Sequence, residues 1–123
     1  MAVATMQVSW WVELALRPGC LEEFAKLTGE MVASAQAENG VLAYQRFISE
    51  DRQTVYLHER YEDSGAAIEH LRAFMATFDR RYACMVEGKR FVVFGDPSDE
   101  LRMLLNGYGA TYHRPFGPLP YWG

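Results

Sequence analysis

The stretch VLAYQRFISEDRQTVYLHERY, residues 41–61, decides the fold of this 123-residue chain. Residues 41–49 and Thr54–Tyr61 are rich in β-branched and aromatic side chains, and the polar segment 50–53 separates them. A connection this short predicts an antiparallel hairpin, because parallel strands need a crossover of about a dozen residues. In the second strand one face carries Tyr56, His58 and Arg60, and the other carries Val55, Leu57, Glu59 and Tyr61.

A strand and a helix are predicted before this hairpin. The apolar run Val8–Leu16, which holds two adjacent tryptophans, is typical of a central strand. From Cys20 onward, apolar side chains recur at three- and four-residue steps, which predicts a helix with one apolar face. The pair Asn39-Gly40 predicts the end of that helix, because glycine favours the left-handed backbone that closes many helices.

A helix and a strand are also predicted after the hairpin. Asp63-Ser64 supplies an N-cap, and helical spacing continues to Gly88 with a bend or break around residues 73–77. Residues 89–94 then form an apolar fourth strand. The order β-α-β-β-α-β predicts an α+β, ferredoxin-like fold, in which two helices lie on one face of a four-stranded antiparallel sheet.

The chain length allows a single domain with short flanking segments. We expect an N-terminal segment over residues 1–7, the domain over residues 8–95, and a C-terminal region over residues 96–123. That region combines a short helix with a tail rich in proline and aromatic side chains, which include Tyr121 and Trp122. The tail is interpreted either as an extended arm that docks on a partner subunit or closes a pocket, or as a frayed terminus.

Composition and charge argue against several classes of function. The formal net charge is −4 and the longest basic run is Arg80-Arg81, which disfavours binding to nucleic acid. No stretch approaches the roughly 20 apolar residues that span a bilayer, and the N-terminus lacks a secretory signal, so we expect a cytoplasmic protein. Two cysteines are too few for a disulfide framework, and the three histidines show no metal-ligand spacing. We therefore expect no metal site.

The apolar character of the strands exceeds what one helical layer can cover. Trp10 and Trp11 point to opposite faces of the first strand, and the fourth strand is apolar on both faces. A monomer would expose a contiguous apolar sheet, which soluble proteins rarely do. We therefore predict a homodimer joined sheet to sheet. The alternative is that the tail folds back over the open face of its own subunit.

Three motifs resemble those of a known family. They are Arg17-Pro18-Gly19, the segment ENGVLAY at residues 38–44, and HERYED at residues 58–63 followed by AAIEH at residues 66–70. In this order they resemble the antibiotic biosynthesis monooxygenase family, which includes quinol monooxygenase-like proteins. The resemblance covers about residues 8–94. It implies a dimeric α/β barrel with a small-molecule pocket between the sheet and the helices of each subunit.

The resemblance implies several chemistries. Some members oxidise phenolic, quinol or anthrone-type substrates with O2 and need neither metal nor flavin, whereas others isomerise small sugar phosphates or degrade haem. The Asn, Trp and His that haem-degrading relatives use correspond to Val12, His70 and Arg80 or Arg81 here. We therefore expect no haem and no other cofactor. The favoured function is oxidation of a small aromatic substrate by O2; the alternatives are an isomerase of a small oxygenated carbon acid and a binding protein without turnover.

Two polar residues are the candidate catalytic groups. His70 lies beside the apolar stripe of the second predicted helix, where an imidazole can accept a proton from a hydroxyl or a carbon acid. Glu59 lies on an otherwise apolar strand face, where it either anchors substrate and orients His70 or pairs with Arg46, Arg60 or Arg90. The alternative for His70 is a packed side chain with one structural hydrogen bond.

A set of aromatic side chains is predicted to bind the substrate ring. Flat ligands are typically held by aromatic walls that carry a few polar groups. The alternative for each aromatic is an ordinary place in the core. The candidates are Trp10, Tyr44, Tyr61, Phe74 and Phe78.

Overall fold

A computed structural model describes residues 6–118, so Tyr121 and Trp122 of the predicted tail lie outside the described residues. The strands and helices alternate as the sequence predicts. In chain order they are β1 (Val8–Leu16), α1 (Leu21–Gln36), β2 (Val41–Ile48), β3 (Thr54–Tyr61), α2 (Ser64–Thr77), α3 (Asp79–Met85), β4 (Val86–Gly95), α4 (Asp99–Asn106) and β5 (Thr111–His113). The ferredoxin-like fold is therefore confirmed.

The predicted N-cap of α2 is present, whereas α1 ends at Gln36 with Ala37 as its C-cap, before the predicted Asn39-Gly40. The carboxylate of Asp63 accepts the backbone N–H of Ala66 at 2.8 Å and caps α2. Gly40, with a φ of +86°, ends the turn that leads from α1 into β2. The predicted break in the second helix falls at Phe78, which separates α2 from α3.

The sheet differs from the prediction in its number of strands. It has five strands in the order β2-β3-β1-β4-β5, and β5 lies parallel to β4. The prediction of a four-stranded, purely antiparallel sheet was therefore wrong at this edge. The physical reason is the connection through α4, which provides the long crossover that a parallel pair requires. Residues 111–113 of the predicted tail are thus part of the sheet rather than a free arm.

The start of β4 also differs from the prediction. α3 ends at Met85 and the strand begins at Val86, so Gly88 lies inside the strand instead of ending the helix. The β1–β4 register shifts between Glu13 and Leu14, next to the bulged residues 88–90. A bulge bends its strand and re-aims the side chains beside it.

The two faces of the sheet have different environments. The inner face packs against the helices, and Trp10, Leu14 and Val93 are almost completely buried there. On the outer face no described element covers the apolar side chains, and Trp11 is 52% exposed. The outer face also exposes Phe47, Tyr56 and Phe94. The opposite placement of the two adjacent tryptophans is confirmed.

The C-terminal helix α4 belongs to the same core. Leu101 and Leu105 are fully buried, so this helix is fixed by hydrophobic packing. Ser98 caps the helix by accepting the backbone N–H of Leu101 at 3.2 Å. The backbone N–H of Ser98 in turn donates to Oγ of Ser64 at 3.0 Å, which connects α4 to the start of α2.

The turn at Gly40 requires a residue without a Cβ, which can be tested by substitution. A Cβ at this position would lie 2.7 Å from Cβ of Ala66 and 2.9 Å from Oε1 of Glu62. Gly40→Ala is therefore expected to lower the free energy of unfolding, measured by urea denaturation, by about 1–3 kcal/mol. The control is Gly29→Ala in α1, where a Cβ meets nothing; it is expected to raise the same quantity by about 0.5–1 kcal/mol. Equal stability of Gly40→Ala and the wild type would contradict the tight turn.

Candidate active site

A cavity of about 440 Å³ lies between the inner face of the sheet, helices α2 and α3, and the connection from α4 to β5. Its volume falls within the range typical of small-molecule sites. Five of the predicted site residues line it, namely His70, Glu59, Trp10, Tyr44 and Phe74. Tyr61 and Phe78 are buried but do not belong to the cavity wall. The fold therefore brings most of the predicted site together on one side of the sheet.

Glu59 is the centre of a hydrogen-bond network on the inner face. The strand register places it between Trp10 of β1 and Tyr44 of β2. Its Oε1 accepts the indole N–H of Trp10 at 3.0 Å and the phenol O–H of Tyr61 at 2.6 Å. Its Oε2 accepts Nη2 of Arg46 at 3.0 Å. Every one of these donors comes from the sheet, so the strand pairing itself fixes the carboxylate.

The charge balance around Glu59 favours the ionised form. Burial raises the pKa of this carboxyl, but the charges of Arg46 and His70 and the hydrogen bond from Tyr61 outweigh burial, so that the pKa lies below its ordinary value. Burial and the neighbouring Glu59 raise the pKa of the Tyr61 phenol well above its ordinary value. Tyr61 therefore stays protonated and donates. Of the three arginines considered from sequence, Arg46 is the partner of Glu59 in the structure.

His70 projects from α2 between two carboxylates. Its Nδ1 lies 2.9 Å from Oε1 of Glu38, and its Nε2 lies 3.7 Å from Oε1 of Glu59. Assigning the proton of Nδ1 to the hydrogen bond with Glu38 leaves Nε2 as the nitrogen that can exchange a proton. The ring of His70 is also held between Tyr44 at 5.2 Å and Tyr61 at 5.3 Å, measured between ring centroids.

Tyr44 and Arg46 form the β2 side of the site. The guanidinium of Arg46 lies 3.6 Å from the centroid of the Tyr44 ring, a cation–π contact. Burial, followed by the charge of Glu59, raises the pKa of the Tyr44 phenol, so this side chain is neutral at physiological pH. Nε of Arg46 is buried and has no hydrogen-bond partner among the described residues. The guanidinium is thus held chiefly by Glu59 and by the ring beneath it.

The two remaining predicted aromatics have other positions. Tyr61 lies behind the cavity wall and acts on Glu59 through its hydroxyl. Phe78 lies at the junction of α2 and α3, where its ring is 5.8 Å from the guanidinium of Arg81. Neither residue belongs to the cavity wall, and contact of these two side chains with the substrate ring stays a prediction.

Several lining residues were not identified from sequence as site residues. Phe91 on β4, Tyr82 on α3 and Tyr108 beyond α4 complete the aromatic wall.

The motif ENGVLAY contains Glu38, but nothing in it indicates the contact with His70. The contact between Glu38 and His70 depends on the tertiary packing of the turn after α1 against the second turn of α2.

Charged side chains surround one end of the cavity. Lys89 and Arg90 from the β4 bulge line it, together with Asp79 from α3. The ammonium of Lys89 pairs with Glu87 at 3.0 Å, and both side chains are about half exposed. The cavity therefore has a polar, solvent-facing end and an interior where Glu59 and His70 are enclosed by aromatic rings.

The three histidines do not converge. His70 lines the cavity, His58 contacts Trp11 on the outer face, and His113 on β5 lies with its Nδ1 3.2 Å from the backbone oxygen of Val93. Within residues 6–118, no group of three or more histidine, cysteine, aspartate or glutamate side chains is arranged to hold a metal ion. Nor does that part of the chain contain a helix long and apolar enough to cross a membrane.

Comparison with protein families identifies the class of this chain. The model described as antibiotic biosynthesis monooxygenase matches residues 10–83, which is more than half of the sequence. The chain therefore belongs to the antibiotic biosynthesis monooxygenase family, and the predicted resemblance is confirmed. A search of curated protein sequences finds no match.

Solved structures share the fold at low sequence identity. MupZ from Pseudomonas fluorescens has a TM-score of 0.83 and 17% identity, over 94% of this chain and 95% of that one. SnoaB, a cofactor-independent oxygenase from Streptomyces nogalater, has a TM-score of 0.64 and 12% identity, over 76% and 95%. PA3566 from Pseudomonas aeruginosa has a TM-score of 0.64 and 19% identity, over 76% and 96%. The likeness to MupZ thus extends over more of this chain than the other two.

The lowered pKa of Glu59 predicts a specific acid dependence of stability. The ionised carboxylate stabilises the folded state above its ordinary pKa of 4.5, and this contribution is lost as the pH falls through the lower folded-state pKa. Glu59→Gln removes this pH-dependent stabilisation and leaves the guanidinium of Arg46 buried without its carboxylate partner. We expect this variant to lose about 3 kcal/mol of unfolding free energy at pH 7 and to show a flatter decline below pH 4.5.

Urea denaturation between pH 7 and pH 3 measures both effects. The control is Glu87→Gln, which removes a carboxylate from the exposed pair with Lys89. Because exposed ion pairs contribute little, this variant is expected to follow the wild-type curve closely. Parallel curves for Glu59→Gln and the wild type would contradict the role assigned to the buried carboxylate.

Proposed function

We propose that this protein is a cofactor-independent oxygenase that oxidises a small aromatic, quinol or anthrone-type substrate with O2. The observation that carries the proposal is the position of His70, a cavity-lining imidazole held between Glu38 and Glu59 and surrounded by aromatic rings. Family membership supports it, as does the fold shared with SnoaB, which is itself a cofactor-independent oxygenase. Fold alone does not define chemistry, so the proposal depends on the site.

The first step is removal of a proton from the substrate. Nε2 of His70 accepts the proton from a phenolic hydroxyl or from the activated CH2 of an anthrone-type ring. The imidazolium that forms lies between two carboxylates, Glu38 at 2.9 Å and Glu59 at 3.7 Å, which stabilise its positive charge. Glu38 is a positioning residue, since its hydrogen bond to Nδ1 fixes the ring so that Nε2 receives the proton.

The second step is reaction of the resulting carbanion with O2. For a CH2 group the overall change is conversion to C=O: one oxygen atom of O2 enters the substrate, and the other leaves as water with the two hydrogens of the CH2. The substrate supplies all the electrons that reduce O2. Trp10, Tyr44 and Phe74 hold the ring and limit access of water to the carbanion.

One observation keeps a second enzymatic function in consideration. Lys89 and Arg90 line the solvent-facing end of the cavity, although the sequence as a whole is not rich in basic residues. Cations there suit an anionic carbon acid, which His70 would isomerise by moving a proton. Exchange of substrate hydrogen with solvent deuterium, without O2 consumption, would identify this reaction. Ligand binding without exchange or uptake would identify a binding protein.

Oxygen uptake with anthrone and with hydroquinones tests the proposed oxygenase. His70→Ala is expected to lower the rate at least about 100-fold, because a positioned proton acceptor typically contributes that much or more. The control is His113→Ala, which removes a histidine that does not line the cavity; its rate is expected to equal that of the wild type. Equal uptake by His70→Ala and the wild type would exclude His70 as the base.

Glu38→Gln tests the negative charge beside His70 while it keeps the imidazole in place. Glutamine keeps an oxygen that accepts from Nδ1 but loses the negative charge that stabilises the imidazolium. We expect kcat to fall about 10-fold with KM little changed, because the imidazolium that forms loses one of its two neighbouring carboxylates. A kcat equal to that of the wild type would contradict the stabilising charge assigned to Glu38.

The same fold supports a proposal about assembly. The exposed apolar side chains of the outer face, Trp11, Phe47, Tyr56 and Phe94, suit a second copy of the chain packed sheet to sheet. A patch of this kind is uncommon on monomers. β5 lies at the sheet edge beside β4, so residues 111–113 leave this face open. We therefore propose a two-fold homodimer through the outer face, with one cavity in each subunit.

Sedimentation equilibrium tests this assembly. A charge at the centre of the outer face is costly to bury, so Trp11→Glu is expected to shift the wild-type dimer to the monomer mass. Met103→Glu is the control, because Met103 is 76% exposed but lies on α4, away from this face. A wild-type protein that sediments as a monomer at micromolar concentration would exclude the dimer.

A further inference from the structure

The connection between α4 and β5 reaches over the solvent-facing end of the cavity. Gly107, Tyr108 and Gly109 all line it, although they lie beyond residues 10–83, where the family model matches. Backbone hydrogen bonds hold this connection against the end of α4; one runs from the N–H of Tyr108 to the oxygen of Leu105 at 2.9 Å. Tyr108 is therefore placed by the well-packed helix α4, whose Leu105 is fully buried.

The ring of Tyr108 continues the aromatic wall of the cavity. Its centroid lies 6.1 Å from that of Phe91, with the two planes only 26° apart, and 6.4 Å from that of Phe74 in an edge-on contact. Phe91 in turn lies 5.7 Å from Trp10, which donates to Glu59. An unbroken series of rings therefore leads from the buried carboxylate to the opening.

Tyr108 and Asp79 both line this end of the cavity. Partial burial, followed by the carboxylate of Asp79, raises the pKa of the Tyr108 phenol to about 12, so the phenol is neutral. Asp79 begins α3, and Tyr108 follows α4. The cavity end is therefore lined from both helices.

We propose that Tyr108 is a substrate-binding residue that selects fused-ring aromatics over single-ring quinols, by stacking on the ring farthest from His70. This inference rests on the proposed function, because it takes a proton-yielding ring beside His70 as its starting point. The ring of Phe91 lies between those of Trp10 and Tyr108, at centroid distances of 5.7 Å and 6.1 Å. A second or third fused ring would extend from beside Trp10 along Phe91 toward Tyr108, an extension that a single ring lacks. The ring contacts with Phe91 and Phe74 keep the phenol ring at this end of the cavity.

The test is a binding series that does not depend on turnover. Hydroquinone, 1,4-naphthalenediol and anthrone are titrated without O2 by isothermal calorimetry into the wild type, Tyr108→Ala, Tyr108→Phe and Met103→Ala. Tyr108→Ala is expected to weaken anthrone binding about 3- to 10-fold, the size of one lost aromatic contact, and hydroquinone binding less than about 2-fold. Tyr108→Phe keeps the ring and is expected to retain most of the affinity for anthrone.

Met103→Ala controls for changes in α4 that do not touch the cavity, and it is expected to bind all three ligands as the wild type does. In steady-state oxygen uptake, Tyr108→Ala is expected to raise the KM for anthrone by the same factor and to leave kcat unchanged. Far-ultraviolet circular dichroism verifies that each variant is folded. A thermal midpoint equal to that of the wild type within measurement error shows that the lost affinity does not result from unfolding of α4.

The outcomes separate this inference from the proposed function. Anthrone binding weakened by Tyr108→Ala in a protein that consumes no O2 would support the assignment of Tyr108 and exclude the oxygenase. Oxygen uptake with anthrone that Tyr108→Ala leaves unchanged in both KM and kcat would exclude the assignment and support the oxygenase. A uniform loss of affinity for all three ligands would also overturn the selection for fused rings. Failure of the wild type to bind any of them would exclude both.

Discussion

The buried carboxylate of Glu59 is the constraint on which the rest of the site depends. An ionised carboxylate in an apolar interior is costly unless it is paired and hydrogen-bonded. Here a guanidinium, an indole N–H and a phenol O–H satisfy it, and they come from β2, β1 and β3. Three strands must therefore pair in register for one side chain to be stable. The same carboxylate lies beside His70, so the group that constrains the sheet also determines the electrostatics of the proposed base.

Much of the fold was predictable from local patterns. The alternation in β3 placed Glu59 and Tyr61 on one face and Tyr56 and His58 on the other, and in the structure the first pair lies on the inner face and the second on the outer face. The N-cap at Asp63 was predictable because it needs only a carboxylate that accepts a backbone N–H of the residues directly after it. The fifth strand was not predictable in this way, because a three-residue strand has little periodicity and its parallel pairing depends on where α4 packs.

The site was predictable only in part, for a related reason. His70 and Glu59 are conspicuous because each is a polar residue on an apolar face, a local signal that sequence carries. Glu38 carries no such signal, since it lies in the polar turn between α1 and β2, and its meeting with His70 is a tertiary event. The helical spacing of Phe78 correctly indicates an inward-facing residue, but spacing alone does not show that the side chain lies at the break between α2 and α3 and outside the cavity wall.

The short strand β5 has a consequence for how the sheet ends. A sheet edge presents unpaired backbone groups that can recruit a strand from another molecule, and proteins commonly counter this with a very short outermost strand. β5 has three residues and covers the edge of β4 at Val92, Val93 and Phe94, the most apolar part of that strand. It thereby shields an aggregation-prone segment from edge-to-edge growth. A segment that contributes little to the hydrophobic core thus serves the solubility of the whole molecule.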